Sequence, residues 1–173
     1  MNKIVIIGGG YAGVLTAKKL AKKFKKDTTT SITIIDKNPF HTMLTELHEV
    51  AAGRVEEDSI RISFRKVFAG RKINFVQDYV ETVDLAQKMV LGRNGTYPYD
   101  YLVMAAGSQP TYLCIPGAEE YSWPLWSYED AVRLREHILN CFRRAAVETD
   151  PQVRARLLTF HVVGAGLTGV EMA

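Results

Sequence analysis

Three glycines near the amino terminus have the spacing of a phosphate-binding turn. Gly8, Gly10 and Gly13 form the pattern G-x-G-x-x-G between a short apolar run and the start of a helical pattern. In such a turn the first glycine permits the bend, the second lets a pyrophosphate approach the backbone, and the third lets the helix pack against the strand. The amino end of the helix then presents N–H groups and a partial positive charge to the phosphates. The spacing therefore predicts a cradle for a pyrophosphate.

An acidic residue stands where a dinucleotide site needs one. The segment SITIIDK has a β-branched strand pattern and contains Asp36, 23 residues after Gly13. A carboxylate about 20 residues beyond the glycines binds ribose hydroxyls in dinucleotide-binding folds. Because the same negative charge would repel a 2′-phosphate, the residues predict FAD or NAD as the ligand and not NADP.

The glycine pattern recurs at the other end of the sequence. Gly164, Gly166 and Gly169 repeat the spacing after the apolar run LLTFHVV. We expect that run to be a strand and the second pattern to begin another dinucleotide site. No strand ending in an acid follows it in the sequence, so we expect the second site to be incomplete in this chain.

Two histidines and two glutamates are the other candidates for chemistry. His41 and His48 are seven residues apart, whereas paired metal-binding histidines on a helix are commonly four apart. We therefore predict cap or surface roles for both histidines and no metal site. Glu46 and Glu49 are candidates for a general acid and base, but a solvated helix face is favoured because the motif contains no basic partner.

The two cysteines, Cys114 and Cys141, have no metal or redox spacing. We predict a structural role for each of them. Without a CxxC pair, the cytosol is the compartment that the sequence favours.

The composition excludes several function classes. The chain of 173 residues is 47% hydrophobic and 24% charged, and its net charge of +3 is too small to indicate nucleic acid. The basic stretch Lys18–Lys26 is interpreted as a solvated face near a helix C-terminus, in preference to a strip for anionic lipid. No run approaches the ~20 apolar residues of a membrane-spanning helix, and the opening segment is too short for a signal peptide.

Periodicity places the elements that must position these residues. A buried strand is expected from Lys3 to Ile7, followed by a helix from about Tyr11. The pattern from Asn38 to Val67 is mainly helical. The residues that the first helix is expected to bury are Ala12, Leu15, Leu20 and Phe24.

The middle of the chain predicts short strands and then a long helix. INFVQDYV is one strand, and TVDL, KMVL and the residues after Asn94-Gly95 have the pattern of a small meander. YLVMA, 101–105, is apolar enough for the centre of a parallel sheet. A strong helix is expected from Ser127, an N-cap residue with Asp130 at the N3 position. Its apolar stripe is expected at Val132, Leu134, Ile138, Leu139 and Phe142.

Two glycine turns, separated by a meander and the small-residue turn AAGSQP, resemble the two-dinucleotide-binding-domain flavoproteins. In that superfamily the first site holds FAD and the second holds NAD(P)H. The segment DKNPFHTMLTELHEVAAG and the ending LLTFHVVGAGLTGVEMA are similar to the type II NADH dehydrogenases, the single-subunit NADH:quinone oxidoreductases. The resemblance extends over essentially the whole chain, which corresponds to the N-terminal part of such an enzyme.

The resemblance implies an α/β fold with two parts. The first is a Rossmann-like FAD-binding domain with three layers, a parallel sheet and a small β-meander; the second is the incomplete start of a Rossmann-like NAD-binding domain. The expected bounds are 1–115 for the N-terminal part of the FAD domain, 116–126 for a crossover and 127–173 for the start of the NAD(P)H domain. The crossover contains Pro116 and Pro124 and has no periodicity.

The resemblance also implies roles for individual residues around FAD. Asp36 would bind the adenosine ribose, Lys37 would lie beside the adenosine, and Thr45 would lie near the flavin end. Val80 matches a position whose backbone binds the adenine edge, and Ala106 and Gly107 match the small residues that FAD passes. The residues implied around the FAD pyrophosphate are Gly8, Gly10, Tyr11, Ala12 and Gly13.

In the second motif the resemblance implies contacts with NADH. Glu171 corresponds to a glutamate between nicotinamide and flavin, a candidate for proton handling or nicotinamide orientation. The alternative for Glu171 is an acid in the first turn of a helix, where it favours the helix dipole. The residues implied around the NADH pyrophosphate are Gly164, Gly166, Thr168 and Gly169.

Two cysteine patterns found in related flavoprotein families are absent from this sequence, which narrows the choice among those families. The CxxxxC of the disulfide reductases is replaced by HTMLTELHE, so no redox disulfide is expected. The reactive cysteines of sulfide:quinone reductases have no counterpart, because neither Cys114 nor Cys141 lies in a context that activates a thiolate. Two alternatives stay open: a non-catalytic nucleotide-binding redox sensor, and a related NADH:acceptor flavoprotein reductase linked to ferredoxin or sulfide.

The implied activity is hydride transfer from NADH to FAD, followed by transfer of two electrons to a quinone in a respiratory chain. For this chain alone we expect little or no turnover, weak or absent FAD retention, and dimerisation through open sheet edges. The full-length protein is expected in the cytoplasm, associated peripherally with the cytoplasmic face of the membrane. Its expected partners are a quinone and a second copy of itself, with no nucleic acid.

Overall fold

The computed structural model describes residues 2–173, which form two compact units. Unit 1 comprises the described residues up to Thr42 together with Arg61–Ser108, and unit 2 comprises Met43–Ile60 together with Gln109–Ala173. These units divide the chain by internal contacts, whereas the predicted bounds 1–115, 116–126 and 127–173 concern the domains of a whole enzyme. The predicted domain bounds stay a prediction.

The helices and strands follow one another in a mixed α/β order. They are β1 (Asn2–Ile7), α1 (Tyr11–Lys23), β2 (Thr30–Asp36), β3 (Phe40–Thr42), α2 (Leu47–Ala51), β4 (Arg61–Ser63), α3 (Phe64–Val67), β5 (Asn74–Gln77), β6 (Val80–Asp84), β7 (Met89–Gly92), β8 (Thr96–Pro98), β9 (Tyr101–Met104), α4 (Ala118–Tyr121), α5 (Tyr128–Val147), α6 (Pro151–Leu157) and α7 (Leu167–Met172). Short 3₁₀ turns at Leu44–Glu46 and Glu57–Ile60 flank α2.

Unit 1 is built on a parallel sheet with the strand order β5-β2-β1-β9. β1 pairs with β2 on one side and with β9 on the other, and β2 pairs with β5, all in parallel. The segments β6, β7 and β8 form a separate antiparallel meander. The parallel sheet and the meander are confirmed as the sequence predicted them.

Side chains of β1 alternate between two apolar cores, which makes unit 1 a three-layer structure. Ile4 and Ile6 pack with residues of α1 and with Phe64 on one face of the sheet. Val5 and Ile7 pack with Val90 of the meander on the other face. Because successive side chains of a strand point to opposite faces, a strand buried on both sides has the continuous apolar run IVII.

Helix α1 buries a different stripe from the one expected. Ala12 is exposed, and the Leu15 side chain is 54% exposed. Leu20 and Phe24 do pack at the edge of the core, as predicted. The buried stripe begins one residue later than expected, because Gly13 is the position at which the helix backbone contacts the glycine turn. The buried residues of α1 are Gly13, Val14, Ala17 and Ala21.

The region from Asn38 to Val67 is only partly helical. Helices α2 and α3 fall in it, but Phe40–Thr42 pairs antiparallel with Arg61–Ser63. Each of these strands has three residues, which is too short for an alternating pattern to be read from the sequence. The prediction of a mainly helical region was wrong for these six positions.

In unit 2, α5 begins with the cap that the sequence predicted. The Ser127 hydroxyl accepts from the backbone N–H of Asp130, and the Asp130 carboxylate accepts from the backbone N–H of Ser127. The two bonds satisfy orphan N–H groups of the helix start reciprocally. The apolar stripe was predicted less well, since Leu139 and Phe142 are exposed while Ala131, Cys141 and Ala145 are buried.

The run LLTFHVV does not form a strand. Leu157 ends α6, and residues 158–165 belong to no helix or strand. Val163 is 94% exposed. A β-strand needs a neighbour for its backbone hydrogen bonds, and none of the strands described between residues 2 and 173 pairs with this run. The strand prediction was therefore wrong for the chain as described.

Among residues 2–173, no helix is both long enough and apolar enough to cross a membrane.

Candidate nucleotide-binding sites

Most of the predicted FAD-binding residues lie at one edge of the parallel sheet in unit 1. Gly8 follows β1, Asp36 ends β2, and Ala106 lies just beyond β9. Asp36 is also in register with Gln77, the last residue of β5. These are the carboxyl ends of neighbouring parallel strands, the edge at which open α/β sheets bind ligands.

The first glycine turn leaves no room for side chains at two of its positions. Gly8 has φ +100°, and a Cβ atom added there would overlap the carbonyl group of Ala105. A Cβ atom added to Gly13 would overlap the carbonyl oxygen of Gly8. Gly8 thus permits the bend beside β9, and Gly13 permits close packing of α1 on the turn, as expected for the first and third glycines.

Gly10 differs from Gly8 and Gly13 because its surroundings are open. A Cβ atom added to Gly10 would meet nothing within 4 Å. Gly10 is the N-cap of α1, no side chain caps this helix start, and its first turn contains no acidic residue. The space above Gly10 and the positive end of the helix dipole suit an anionic group such as a pyrophosphate.

The carboxylate of Asp36 is directed at the glycine turn. Its Oδ2 accepts from the backbone N–H of Gly9 at 2.6 Å, and its Oδ1 accepts from the backbone N–H of Asn38 at 2.8 Å. A carboxylate has about four acceptor positions on its two oxygens. Asp36 is therefore held in place by two backbone groups and keeps acceptor capacity for two further donors, as a ribose with two hydroxyls requires.

No role was predicted for the peptide of Gly9, which three contacts hold in place. Its N–H donates to Asp36, its carbonyl oxygen lies 2.9 Å from Nδ1 of His41, and a Cβ atom there would overlap the ring of Phe64. Since a carbonyl oxygen can only accept, Nδ1 of His41 carries the proton in this bond. His41 is 7% exposed and contacts the ring of Tyr11 edge-on.

The prediction of a cap or surface role for His41 was therefore wrong. No spacing rule relates His41 to Gly9, because the two residues lie 32 positions apart. His41 is one of two buried polar or charged residues in the described part of the chain, and Asp78 is the other.

The remaining predicted residues of unit 1 lie close to the same strand ends in sequence. Lys37 follows Asp36 and is exposed, and its carbonyl oxygen accepts from the amide of Gln77. Val80 starts β6 beside an irregularity in the β6–β7 pairing. Ala106 and Gly107 are exposed, and Gly107 has φ +79° with open space around it. Tyr11 and Ala12 occupy the first turn of α1.

The second glycine turn, in unit 2, repeats the internal geometry of the first. Gly164 has φ +113°, and a Cβ atom added to Gly169 would overlap the carbonyl oxygen of Gly164. Gly166 is the N-cap of α7 with φ −73° and ψ 176°, close to the φ −70° and ψ −170° of Gly10, and its surroundings are also open. Thr168 is exposed in the first turn of α7. The turn is thus formed although the run before it is not a strand.

Glu171 does not lie in the first turn of α7, so the helix-dipole interpretation of this residue was wrong. Its Oε2 lies 3.3 Å from Nδ1 of His48 in the same unit. Thr45, the other predicted residue of unit 2 outside the glycine turn, is exposed in the short turn before α2.

The acids and histidines around α2 form ion pairs that the sequence did not predict. Glu49 receives two hydrogen bonds from Arg54, one of them 2.7 Å from Nε to Oε2. The hydrogen bond from Arg54 lowers the pKa of Glu49 below its usual value, assisted by the nearby His48. Glu49 therefore lies in an exposed ion pair with Arg54, and His48 has a half-buried position between two carboxylates. Glu46 is half-buried and accepts from the hydroxyl of Thr45.

Both cysteines are free thiols in the described residues. Cys141 is buried in α5, 3.7 Å from Nε2 of His137, while Cys114 is exposed in the loop before α4. A packing role is thus supported for Cys141 and not for Cys114. Among residues 2–173, no group of three or more His, Cys, Asp or Glu side chains is arranged to hold a metal ion.

The sequence of this chain matches a known protein family and is similar to named relatives. Residues 2–173 match the family described as "Pyridine nucleotide-disulphide oxidoreductase". The chain is 38% identical over 180 residues to the type II NADH:quinone oxidoreductase Ndh of Mycobacterium tuberculosis, covering 99% of this chain and 37% of that protein. It is 33% identical over 170 residues to a type II NADH:quinone oxidoreductase of Staphylococcus haemolyticus, covering 98% of this chain and 42% of the relative.

A solved structure has a similar fold. NDH2 from Plasmodium falciparum, in a complex with RYL-552, superimposes with a TM-score of 0.83 at 25% identity, covering 99% of this chain and 35% of that one. The chain thus spans about two-fifths of the length of the curated relatives it matches. With a family match that covers every described residue, the chain belongs to the pyridine nucleotide-disulphide oxidoreductase family.

Proposed function

We propose that this chain is the N-terminal part of an FAD-dependent NADH:quinone oxidoreductase. The observation that supports the proposal most strongly is the presence of two glycine turns with the same internal geometry, each with an open central glycine. A protein that brings two dinucleotides together needs two such cradles. The names of the relatives from Mycobacterium tuberculosis and Staphylococcus haemolyticus support the same reaction.

In the proposal, unit 1 binds the adenosine and pyrophosphate of FAD. The backbone at Gly10 and the first turn of α1 would hold the phosphates, and the carboxylate of Asp36, which already accepts from Gly9, would accept from the ribose hydroxyls. The negative charge of Asp36 disfavours a 2′-phosphate, which FAD does not carry. Lys37, Val80, Ala106 and Gly107 are proposed around the adenosine and along the path of the cofactor.

The second turn is proposed to bind the pyrophosphate of NADH. Gly166 and the first turn of α7, with Thr168, offer the same open backbone as the first cradle. Gly164 and Gly169 shape the turn and permit its close packing. Thr45, exposed before α2, is proposed near the flavin end of FAD.

A flavin bound here would supply the hydride-accepting, two-electron chemistry that the side chains themselves do not. The chain's own contribution would be to bind each dinucleotide by its pyrophosphate. Glu171 is proposed to orient the nicotinamide or to hold a proton near the rings.

A quinone is the proposed electron acceptor, because the relatives are named for it. Peripheral association of the full-length protein with the cytoplasmic face of the membrane and formation of a homodimer are further proposals. They follow from the resemblance to the family, since a quinone that is dissolved in a membrane must be reached from its surface.

The test uses the whole protein that contains this chain, purified with its flavin under anaerobic conditions. NADH is expected to bleach the visible absorbance of the flavin, and a soluble quinone is expected to restore it. Bleaching by NADH without recovery on addition of quinones would contradict the quinone assignment. A protein that copurifies with no flavin and binds none would contradict the proposal as a whole.

A further inference from the structure

The imidazole of His48 lies between two carboxylates within unit 2. Its Nδ1 is 3.3 Å from Oε2 of Glu171, and its Nε2 is 3.2 Å from Oε1 of Glu49. The side chain of His48 is 12% exposed, whereas that of Glu171 is 46% exposed. The half-buried ring is therefore the fixed partner, and the more exposed glutamate is the group that it holds.

The far side of the ring is anchored by an ion pair. Arg54 donates to both oxygens of Glu49, a bidentate arrangement that orients the carboxylate as well as attracting it. This pairing keeps Glu49 in its charged form, since the hydrogen bond from Arg54 lowers its pKa. Glu49 in turn fixes the Nε2 side of His48.

Both ring nitrogens face an acceptor, so the contacts are satisfied together only when each nitrogen donates. A neutral imidazole has one N–H and would point a lone pair at one of the two carboxylates.

Apolar packing supports the position of this cluster. Leu47 and Val50, on either side of His48 in α2, are 4% and 0% exposed. Met172, the neighbour of Glu171 in α7, packs against the core that contains both of them. The backbones that carry the two partners are therefore held by the same core.

We propose that His48 is a positioning residue that holds the carboxylate of Glu171 in its reactive orientation through the Nδ1–Oε2 contact, an inference that rests on the proposed NADH-to-flavin reaction. The role is specific to one side of the ring. The Nδ1 side acts on Glu171, and the Nε2 side serves as the anchor through Glu49 and Arg54.

The two sides of the ring are distinguished by a matched pair of substitutions in the whole, flavin-loaded protein. The amide nitrogen of His48→Asn lies close to the place of Nδ1, and that of His48→Gln lies close to the place of Nε2. His137→Gln is the control, because His137 is also half-buried in unit 2 but contacts Cys141 and Trp123 and no carboxylate.

The readout is the anaerobic reduction of flavin by NADH in a stopped-flow instrument, which separates the limiting rate from the dissociation constant of NADH. His48→Gln is expected to lower the limiting rate about 10-fold, since a misplaced group costs up to 100-fold, while the dissociation constant changes less than about twofold. His48→Asn is expected to stay within about threefold of the wild-type rate, and His137→Gln to leave it unchanged. Flavin content and melting temperature show whether each variant is folded.

A double substitution completes the test. If His48 acts through Glu171, then His48→Gln lowers the limiting rate in the wild-type background and has no effect in a Glu171→Gln background. Equal losses in both backgrounds, equal losses in His48→Asn and His48→Gln, or a wild-type rate in Glu171→Gln would each overturn the positioning role while leaving the proposed function intact. A wild-type protein whose flavin NADH does not reduce would instead overturn the proposed function.

Discussion

The side chain of Asp36 accepts a hydrogen bond from the backbone N–H of Gly9, with 2.6 Å between Oδ2 and the nitrogen. The bond joins the end of β2 to the glycine turn after β1, so the acid and the turn form one structure before any ligand is considered. Because the other oxygen accepts from the N–H of Asn38, both oxygens of Asp36 face a backbone donor. This arrangement requires a carboxylate.

The first prediction concerns Asp36→Asn. The amide NH₂ of an asparagine would point at one of the two backbone donors, so the side chain would lose a hydrogen bond and turn away from the ribose. We expect the affinity for FAD to fall at least about 10-fold, as hydrogen bonds to charged groups contribute about 1.5–3 kcal/mol. The measurement is the ratio of flavin to protein after gel filtration of the whole protein.

Asp100→Asn is the matched control for this prediction. The Asp100 carboxylate also accepts a backbone N–H at 2.6 Å, from Lys3, but at the amino end of the sheet, away from the predicted ligand. We expect this variant to retain its flavin. Equal flavin loss in the two variants would show that Asp36 acts on the stability of the sheet and not on the cofactor.

The second prediction separates the roles of Gly10 and Gly13 in the first turn. Gly10→Ala places a methyl group in open space at a backbone conformation that alanine adopts, so the melting temperature is expected to stay close to that of the wild type while FAD binding weakens. Gly13→Ala places the methyl group on the carbonyl oxygen of Gly8. We expect it to destabilise the fold by about 2 kcal/mol or more.

Thermal unfolding of the two variants, followed with and without added FAD, checks this assignment. Gly166→Ala and Gly169→Ala extend the comparison to the second turn, where the same division is expected between NADH binding and stability. A stable Gly13→Ala protein, or a destabilised Gly10→Ala protein, would mean that the turn is not packed as described.

The features that the sequence predicted correctly are those that depend on neighbouring residues. The strand β1 follows from a continuous apolar run, the meander from its turn residues, and the cap of α5 from Ser127 and Asp130 three positions apart. The shape of the glycine turn is also local, because Gly8 and Gly13 contact each other within one bend.

Several features that the sequence did not predict depend on contacts between distant segments. Nothing in the spacing of His41 relates it to Gly9, and nothing in the spacing of His48 relates it to Glu171. The strand expected in the run LLTFHVV failed for a related reason. A strand is stabilised by its neighbours in a sheet, so an apolar run alone does not decide whether it forms.

The third prediction is a pH dependence in the meander. The hydroxyl of Tyr97 donates to the buried Asp78 at 2.6 Å. Burial, together with the hydrogen bond to Asp78, raises the pKa of Tyr97 from 10.0 to about 12. A raised pKa in the folded state contributes stability that is fully present below pH 10 and is lost as the pH rises towards 12.

Tyr97→Phe is therefore expected to be less stable than the wild type at neutral pH, with a difference that shrinks between pH 10 and 12. Denaturant unfolding at several pH values measures it. Tyr99→Phe is the control, because the buried hydroxyl of Tyr99 has no hydrogen-bond partner among the described residues and its removal leaves no group unsatisfied. A difference for Tyr97→Phe that stays constant from pH 9 to 12 would contradict the assigned cause.

The last prediction tests the hydrogen bond between His41 and Gly9, which holds the first glycine turn. Nδ1 of His41 donates to the carbonyl oxygen of Gly9 in a buried setting, so His41→Leu would leave that carbonyl without its donor at a cost of about 1–3 kcal/mol. His41→Asn keeps an N–H donor close to the place of Nδ1. We expect His41→Leu to lower both the melting temperature and the flavin content, and His41→Asn to recover most of the flavin content, because the peptide of Gly9 keeps its orientation relative to Asp36. If both variants lose flavin equally, the volume of the ring and its edge contact with Tyr11 hold the turn, and the hydrogen bond to Gly9 does not.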